Sequence, residues 1–264
     1  MGYVEALEEA IEKGIWTPDK KTAAIYGEDT DWGRSFDAAI RGQLENAGWE
    51  IVSEDYFSID EVEFYPLLKK MKDLGAVLVA GTATTPTSYA AFIKQAREVG
   101  LKSLIVADGL GWIGEWYELT GDASDYVLDQ IPQWTTAEAK AFRDNFEKRW
   151  GFKPSPSAAG QAYDMANFFI KLAQEAPKKY GELNRKTLYK IGQEKLWAGE
   201  LTFTRADGAI IHECYKYTPE TILDLVVAKG CYIFPVIQYF GSERRVIWPE
   251  EWKEAGLEIP PYMK

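Results

Sequence analysis

Acids, hydroxyls and tryptophans collect in the segments that directly follow apolar runs of this sequence. The first segment, residues 27–33 (GEDTDWG), contains three acids and a tryptophan and comes after the apolar run at residues 22–26. The segments GTATTPTSY, ADGLGWIGEW and DQIPQWTT follow later apolar runs in the same way. They lack the long basic side chains that a phosphate site requires, and their carboxylates, hydroxyls and indoles suit a small organic ligand.

A phosphate-binding loop is the main alternative for the first segment, because such loops also lie between a strand and a helix. That motif needs four residues between its glycines, followed by Lys and then Ser or Thr. Here Gly27 and Gly33 enclose five residues, and Arg34 and Ser35 follow. The acids would also repel a phosphate from the helix N-terminus. We therefore interpret the segment as a strand-to-helix turn, with Asp31 expected as the N-cap.

Strand-like apolar runs alternate with amphipathic helical patterns through the first half of the chain. Predicted strands start at residues 22, 50, 76, 103 and 126, and spacings of 23 to 28 residues match the length of one βα unit. This regularity predicts an α/β fold with a doubly wound parallel sheet. The loops after successive strands should then gather along one edge, where open α/β sheets bind ligands.

The alternation ends near Pro132. Long helical patterns follow at residues 137–150 and 157–176, and residues 201–217 are typical of a hairpin with its turn at 205–208. Strands are expected within 231–240 and at 246–248, and a last helix is expected to open near Pro249. This change of architecture indicates a hinge between packed lobes.

Composition limits the classes of partner. The chain has 264 residues, 46% of them hydrophobic, which is enough for one or two domains with a proper core. A net charge of -11 with interspersed signs argues against nucleic acid and anionic membranes as partners. The sequence has no apolar stretch of about 20 residues, and its first residues lack the layout of a secretion signal.

The residues offer little for catalysis. His212 is the only histidine, and we expect it to be structural. The sequence has no GxSxG elbow, no GxGxxG after a strand and no metal-ligand cluster, so no catalytic residue, metal or cofactor is predicted. Cys214 and Cys231 lack zinc-ligand spacing and are expected as packed thiols, with a bond between them as the alternative.

Five segments, taken in order, resemble a known family: KTAAIYGEDTDWGRSF, EFYPLLKKMKDLGAVLVAG, FIKQAREVGLKSLIVADG, SAAGQAYDMANFFIKLAQEA and PVIQYFGSERRVIWP. The order and spacing are similar to those of type I periplasmic binding proteins, and within them to the solute-binding proteins of branched-chain amino-acid ABC transporters. The resemblance covers nearly the whole chain. It implies the type I periplasmic-binding-protein fold and a periplasmic or cell-surface location.

The resemblance also implies three regions. Residues 1–132 would form a second-lobe-like, ligand-binding lobe of βα units, 133–235 would belong to the other lobe, and 236–264 would supply closing strands and a terminal helix. Family members begin with a signal and a first lobe, and by this resemblance we expect the chain to lack both. We therefore expect 133–235 to leave an apolar surface exposed, with self-association through it as a consequence.

Family members close two lobes over a small solute, and the matching positions define the predicted site. Trp32 stands where the family places an aromatic residue against the ligand. Thr82, Thr84 and Thr85 follow the predicted strand that starts at 76, where the family has ligand-contacting residues. Asp108, after the strand that starts at 103, would hold the ligand ammonium. The competing interpretations are a core role for Trp32, helix capping for the threonines and a turn role for Asp108. Packing roles are expected for four other aromatic residues, which are Trp112, Trp116, Trp134 and Tyr163.

The leading hypothesis is therefore a solute-binding protein, or the C-terminal part of one, that is not an enzyme and delivers an amino acid or similar small solute to ABC permease subunits. A ligand-binding sensory domain of a receptor is the first alternative. A small α/β enzyme is less favoured, and a phosphoacceptor domain would use Asp29 and Asp31, which follow the first strand.

Overall fold

The computed structural model describes residues 2–112, 116–222 and 224–263. The chain divides into two compact units, which are described separately. Unit 1 is formed by the chain up to Ile131 together with the chain from Pro235 onward, and unit 2 is Pro132–Phe234.

The described strands, in chain order, are β1 Thr22–Glu28, β2 Glu50–Phe57, β3 Leu78–Thr82, β4 Leu104–Asp108, β5 Leu128–Gln130, β6 Phe203–Thr204, β7 Cys214–Tyr215, β8 Val236–Phe240 and β9 Glu243–Trp248. The described α-helices are α1 Gly2–Glu12, α2 Asp31–Asn46, α3 Tyr65–Asp73, α4 Pro86–Glu98, α5 Trp116–Thr120, α6 Ala137–Trp150, α7 Ala162–Tyr180 and α8 Arg185–Ile191. None of the helices in these ranges is long and apolar enough to cross a membrane.

Unit 1 is built on a seven-stranded sheet with the order β2-β1-β3-β4-β5-β8-β9. Neighbouring strands among β1 to β5 pair in parallel, which confirms the predicted α/β fold. The last two strands are antiparallel to their neighbours. A short turn joins β8 to β9, and such a turn permits only antiparallel pairing.

Strands β1, β3 and β4 run one or two residues further than their apolar runs predict. The ladder between β1 and β3 continues to the pair Gly27 and Thr82, and the ladder between β3 and β4 continues to Thr82 and Asp108. Backbone hydrogen bonding sets these ends, so polar side chains can follow an apolar run within the same strand. Thr82 and Asp108 consequently occupy the last rung at the carboxyl edge of the sheet.

Both faces of the sheet are covered, and all seven residues of β1 are buried. On one face Tyr26 stacks on Phe92 of α4 with ring centroids 4.0 Å apart. On the other face α2 approaches the end of β1 so closely that a Cβ on Gly33 would lie 2.0 Å from the Glu28 carbonyl oxygen. Only glycine permits this approach, which fixes the position of the α2 N-terminus beside the sheet edge.

The N-cap of α2 is Thr30, whose hydroxyl accepts a hydrogen bond from the Gly33 amide at 3.1 Å. The prediction of Asp31 as N-cap was wrong. Thr30 has the extended backbone that a cap requires, and Asp31 is the first helical residue. There its charge still complements the helix dipole.

Unit 2 packs α7 against the small antiparallel sheet of β6 and β7. Phe168 and Leu172 on α7 contact a core that includes Phe203 and Tyr215. The two strands pair antiparallel, as predicted, through Phe203 with Tyr215 and Thr204 with Cys214. The connection between them is residues 205–213, which is longer than the predicted turn at 205–208.

Cys214 and Cys231 form a disulfide. The expectation of two packed thiols was wrong, and the bonded alternative holds. The residues following β7 return beside it through a backbone bond from Val226 to Lys216, which brings the second cysteine to the first. Sequence spacing alone could not show this return.

The expected helix after Pro249 is also wrong. The chain makes a 3-10 turn at Glu250–Trp252 and then returns to the sheet, where the amides of Glu254 and Ala255 donate to the Val246 carbonyl. These bonds hold the segment against β9 and prevent helix continuation.

Candidate ligand-binding site

A pocket of about 220 Å³ opens at the carboxyl edge of the unit 1 sheet. It is bounded by the loops that follow β1, β3 and β4, which is where a parallel sheet places ligands. Its lining residues are Trp32, Thr82, Ala83, Thr84, Tyr89, Asp108, Gly109 and Trp112. Among these eight, the charged side chain is the Asp108 carboxylate, so the lining has an acidic character.

A chain of hydrogen bonds ties the three loops together. The Trp32 indole donates to the Thr82 hydroxyl at 3.1 Å, and that hydroxyl donates to the Asp108 carbonyl at 2.9 Å. The Tyr89 hydroxyl also donates to the Asp108 carbonyl and accepts from the Ala83 amide. Thr82 and Tyr89 are buried, so they fix the positions of the residues that face the pocket.

Asp108 offers a partly satisfied carboxylate. Its Oδ1 accepts a 2.7 Å hydrogen bond from the buried Tyr3 hydroxyl of α1. Burial, reinforced by the nearby charge of Asp129, raises the Asp108 pKa to about 7. A positive group in the pocket would favour the ionised form and lower this pKa, because an opposite charge stabilises the carboxylate.

Two fully buried carboxylates, one on β1 and one on β5, hold the pocket loops. Glu28, the last residue of β1, accepts hydrogen bonds from the amide and hydroxyl of Thr84. Asp129 of β5 accepts from the amides of Gly109 and Gly111, both at 2.7 Å.

Asp129 makes two further bonds, accepting from its neighbour, the Gln130 amide, and from the Tyr239 hydroxyl. Burial raises its pKa, while these donors favour the charged form. The loop from 109 to 112 is therefore anchored by a single side chain, and Asp108 is held at its start.

Two indoles stand open to solvent at the pocket. Trp32 is 55% exposed and Trp112 is 48% exposed. Indole faces attract cations and apolar groups. Beside a carboxylate, they suit a ligand that combines an ammonium with an apolar part.

The predicted site residues fall into three groups. Trp32 and Asp108 line the pocket with side chains at its surface. Thr82 and Thr84 also line it, but their hydroxyls already donate within the protein, to the Asp108 carbonyl and to Glu28. Thr85 is outside the lining, and its hydroxyl donates to Ser88 at the start of α4. Thr85 thus takes the helix-start position that was the competing interpretation.

Sequence reasoning missed several residues of the site. The packing role expected for Trp112 was wrong. A 3-10 turn at Leu110–Trp112, after β4, leaves its indole exposed at the pocket. Tyr3 and Tyr89 come from helical patterns in which they look like ordinary core residues. Asp129 comes directly after the short strand predicted at 126 and is the middle residue of β5. An acid between the apolar residues Leu128 and Ile131 was the available signal that its carboxylate has a specific role.

Other expected packing residues differ in outcome. Trp116 is buried, as expected, and Trp134 packs against the cluster of Ile210 and Ile211. Tyr163 was expected to be buried, but it is 42% exposed on α7. The core face of α7 is set by Asp164 and Phe168, and Tyr163 lies on another side of the helix.

Two buried polar side chains of unit 2, Asp164 and His212, have structural surroundings. Asp164 accepts from the amides of Ile210 and Ile211, each at 2.8 Å, and from the Tyr215 hydroxyl. Burial lowers the pKa of His212 to about 3, so its imidazole is neutral at pH 7. Its Nδ1 lies 3.1 Å from the Ile233 carbonyl, in keeping with a structural role.

Comparisons with known proteins bear on the family and the fold of the chain. A family model of periplasmic binding proteins matches residues 6–220. A protein from Silicibacter pomeroyi, assigned to branched-chain amino acid ABC transport, is structurally similar with a TM-score of 0.76 at 18% identity, covering 99% of this chain and 66% of that one.

Two further structures give similar values. A branched-chain amino acid ABC transporter protein from Thermus thermophilus with bound valine has a TM-score of 0.65 at 16% identity, with 94% and 64% of the two chains covered. An extracellular ligand-binding receptor from Rhodopseudomonas palustris has a TM-score of 0.72 at 16% identity, with 92% and 67% covered. The chain thus spans about two thirds of the length of the structures it matches.

The TM-scores support the fold, and the match to the family model is a separate finding. Together they confirm the resemblance inferred from the ordered segments of the sequence. The chain belongs to the periplasmic binding protein family.

Proposed function

We propose that this chain binds an amino acid or a similar small solute at the unit 1 pocket and serves an ABC importer as a solute-binding protein. The main support for this proposal is that the Asp108 carboxylate lies beside the exposed indoles of Trp32 and Trp112 at the carboxyl edge of the sheet. Asp108 would receive the ligand ammonium, and Trp32 and Trp112 would contact its apolar part. The protein would bind its ligand without changing it.

The contacts available in unit 1 set the expected affinity. A charge-assisted hydrogen bond contributes roughly 1.5 to 3 kcal/mol, and an indole face near the cation contributes about 0.5 to 2 kcal/mol. A dissociation constant of about 1 mM corresponds to about 4 kcal/mol. The pocket by itself is therefore expected to bind weakly, in the millimolar range.

The partners in this proposal follow the family. Structures similar to this chain belong to branched-chain amino acid ABC transporters, which supports permease subunits as the receiving partner and the periplasm or cell surface as the location. The division into a ligand-binding lobe at 1–132, a segment of the other lobe at 133–235 and closing strands within 236–264 is part of the same proposal.

The test is a ligand screen by NMR on the 264-residue chain, following the indole signals of Trp32 and Trp112. Leucine, valine, aromatic amino acids and small amides would be compared with matched carboxylates that lack the ammonium. We expect saturable shifts of both indoles with ammonium-bearing solutes alone. Equal shifts with the matched carboxylates, or no shift up to about 50 mM, would reject the proposal.

A further inference from the structure

Unit 2 exposes a set of large apolar side chains on α6, α7 and the segment between them. We call this set the outer face. Its members are between 42% and 61% exposed, and they are Trp150, Phe152, Tyr163, Phe169 and Ile170. Monomeric proteins rarely leave such a patch open, so the outer face indicates an interaction surface.

The rings of the outer face are connected. Phe146 lies 6.3 Å from Trp150 and 5.4 Å from Phe152, measured between ring centroids. Phe142 lies 6.1 Å from Phe146 and 5.0 Å from Tyr163, which links α6 to α7. These contacts join three of the exposed residues, Trp150, Phe152 and Tyr163, into one aromatic row.

Helix α7 adds exposed apolar residues, Phe169 and Ile170, outside the face that it buries in unit 2. Its core face contains Phe168, Leu172 and Ala176, which are buried in unit 2. Tyr163 and Ile170 are seven residues apart and share a second face. A helix that is apolar on opposite sides is typical of one covered on both.

We propose that the outer face is a self-association surface on which a second copy of this chain docks. Charge favours a second copy over an oppositely charged partner. The whole chain has a net charge of -11. Residues 133–170 instead contain four acids and five bases, which are Glu138, Asp144, Glu147 and Asp164 against Lys140, Arg143, Lys148, Arg149 and Lys153. Two acidic copies can therefore approach through this region without strong repulsion.

The area of the outer face agrees with a docking role. A large aromatic side chain has roughly 150 to 250 Å² to bury, so each half-exposed member offers on the order of 100 Å². Five members on each of two copies would bury roughly 1,000 Å², which is the lower limit for a specific interface. We expect a closed pair of moderate affinity, because the same face is shared by both copies.

The test is sedimentation velocity on the 264-residue chain between about 1 and about 100 µM, a range suited to a moderate interface. We expect reversible dimers in the wild type. Phe169→Glu and Trp150→Glu should each raise the dimer dissociation constant at least about tenfold, as truncation of a central aromatic contact does. Circular dichroism would verify that both variants fold.

Ile59→Glu and Val62→Glu are matched controls, since these apolar residues of unit 1 are 55% and 53% exposed outside the outer face. They should leave the dissociation constant unchanged. A monomer at all concentrations, open-ended polymers, or a dimer that both unit 2 variants leave intact would overturn the proposal. Hydroxyl-radical footprinting adds a further outcome: protection of Phe169 and Trp150 in a monomer would mean that the chain itself covers the face.

Discussion

The two units both expose large aromatic side chains, but they do so in different chemical surroundings. In unit 1, Trp32 is held by a hydrogen bond to Thr82 and stands beside the Asp108 carboxylate at a pocket. In unit 2, Trp150 and Phe152 both contact the ring of Phe146 on a helix surface. Exposure alone therefore does not identify a ligand site. The polar network behind the ring distinguishes the two cases.

Buried carboxylates give a second contrast. Asp129 in unit 1 and Asp164 in unit 2 both accept several hydrogen bonds from backbone amides and a tyrosine. Asp129 holds a loop of the pocket, whereas Asp164 holds the buried segment at 210–211. Similar hydrogen bonding thus positions a loop of the candidate pocket in one unit and a core segment in the other.

The largest expected effect comes from removing these two carboxylates. Asp129→Ala and Asp164→Ala should each lower the free energy of unfolding by about 3 kcal/mol, because buried amides lose their acceptors. Thermal unfolding measures this cost. NMR titration should then separate the two variants, with ligand shifts weakened in Asp129→Ala and preserved in Asp164→Ala. Equal weakening in both would show that the contrast between the units is wrong.

Reduction of the disulfide between Cys214 and Cys231 should act on unit 2. The bond closes a loop of 17 residues, for which the chain-entropy estimate is about 3 kcal/mol. We expect faster amide exchange in β6 and β7 after reduction, with unchanged ligand shifts at Trp32. The double variant Cys214→Ser with Cys231→Ser controls for effects of the reductant. Unchanged exchange in β6 and β7 would contradict this prediction.

Asp37 offers a smaller test that is confined to unit 1. This carboxyl on α2 is fully buried against Gly27, and burial, followed by repulsion from Glu54, raises its pKa to about 7. The native state then binds the proton more tightly than the unfolded chain, so ionising Asp37 lowers stability as pH rises from about 4 to about 7.

Asp37→Asn should remove this part of the pH dependence. The free energy of unfolding of the variant, relative to that of the wild type, should therefore be higher at pH 8 than at pH 5 by on the order of 1 kcal/mol. Chemical denaturation at several pH values measures the change. Glu54→Gln is the control, because it removes a neighbouring charge but leaves the buried carboxyl. A parallel pH profile for Asp37→Asn and the wild type would show that Asp37 does not titrate in this window.

The alternation of apolar runs sufficed to predict the sheet of unit 1, because strands buried on both faces have a simple signature. It could not predict the antiparallel direction of β8 and β9 or the disulfide, which depend on where the chain returns after unit 2. The strand-end positions of Thr82 and Asp108 were close to their predicted places. The residues behind them, Tyr89 and Asp129, act through contacts between distant segments, and no local pattern reports such contacts.

The central claim is that Asp108 holds a cationic group, and the pH dependence of ligand binding tests it most directly. With its pKa near 7 in the free protein, Asp108 must lose a proton to bind an ammonium. For an ammonium-bearing solute, we predict affinity that rises from pH 5.5 to pH 8 by about tenfold and a pH profile that Asp108→Asn flattens. Affinity independent of pH, or an unchanged profile in Asp108→Asn, would contradict the claim.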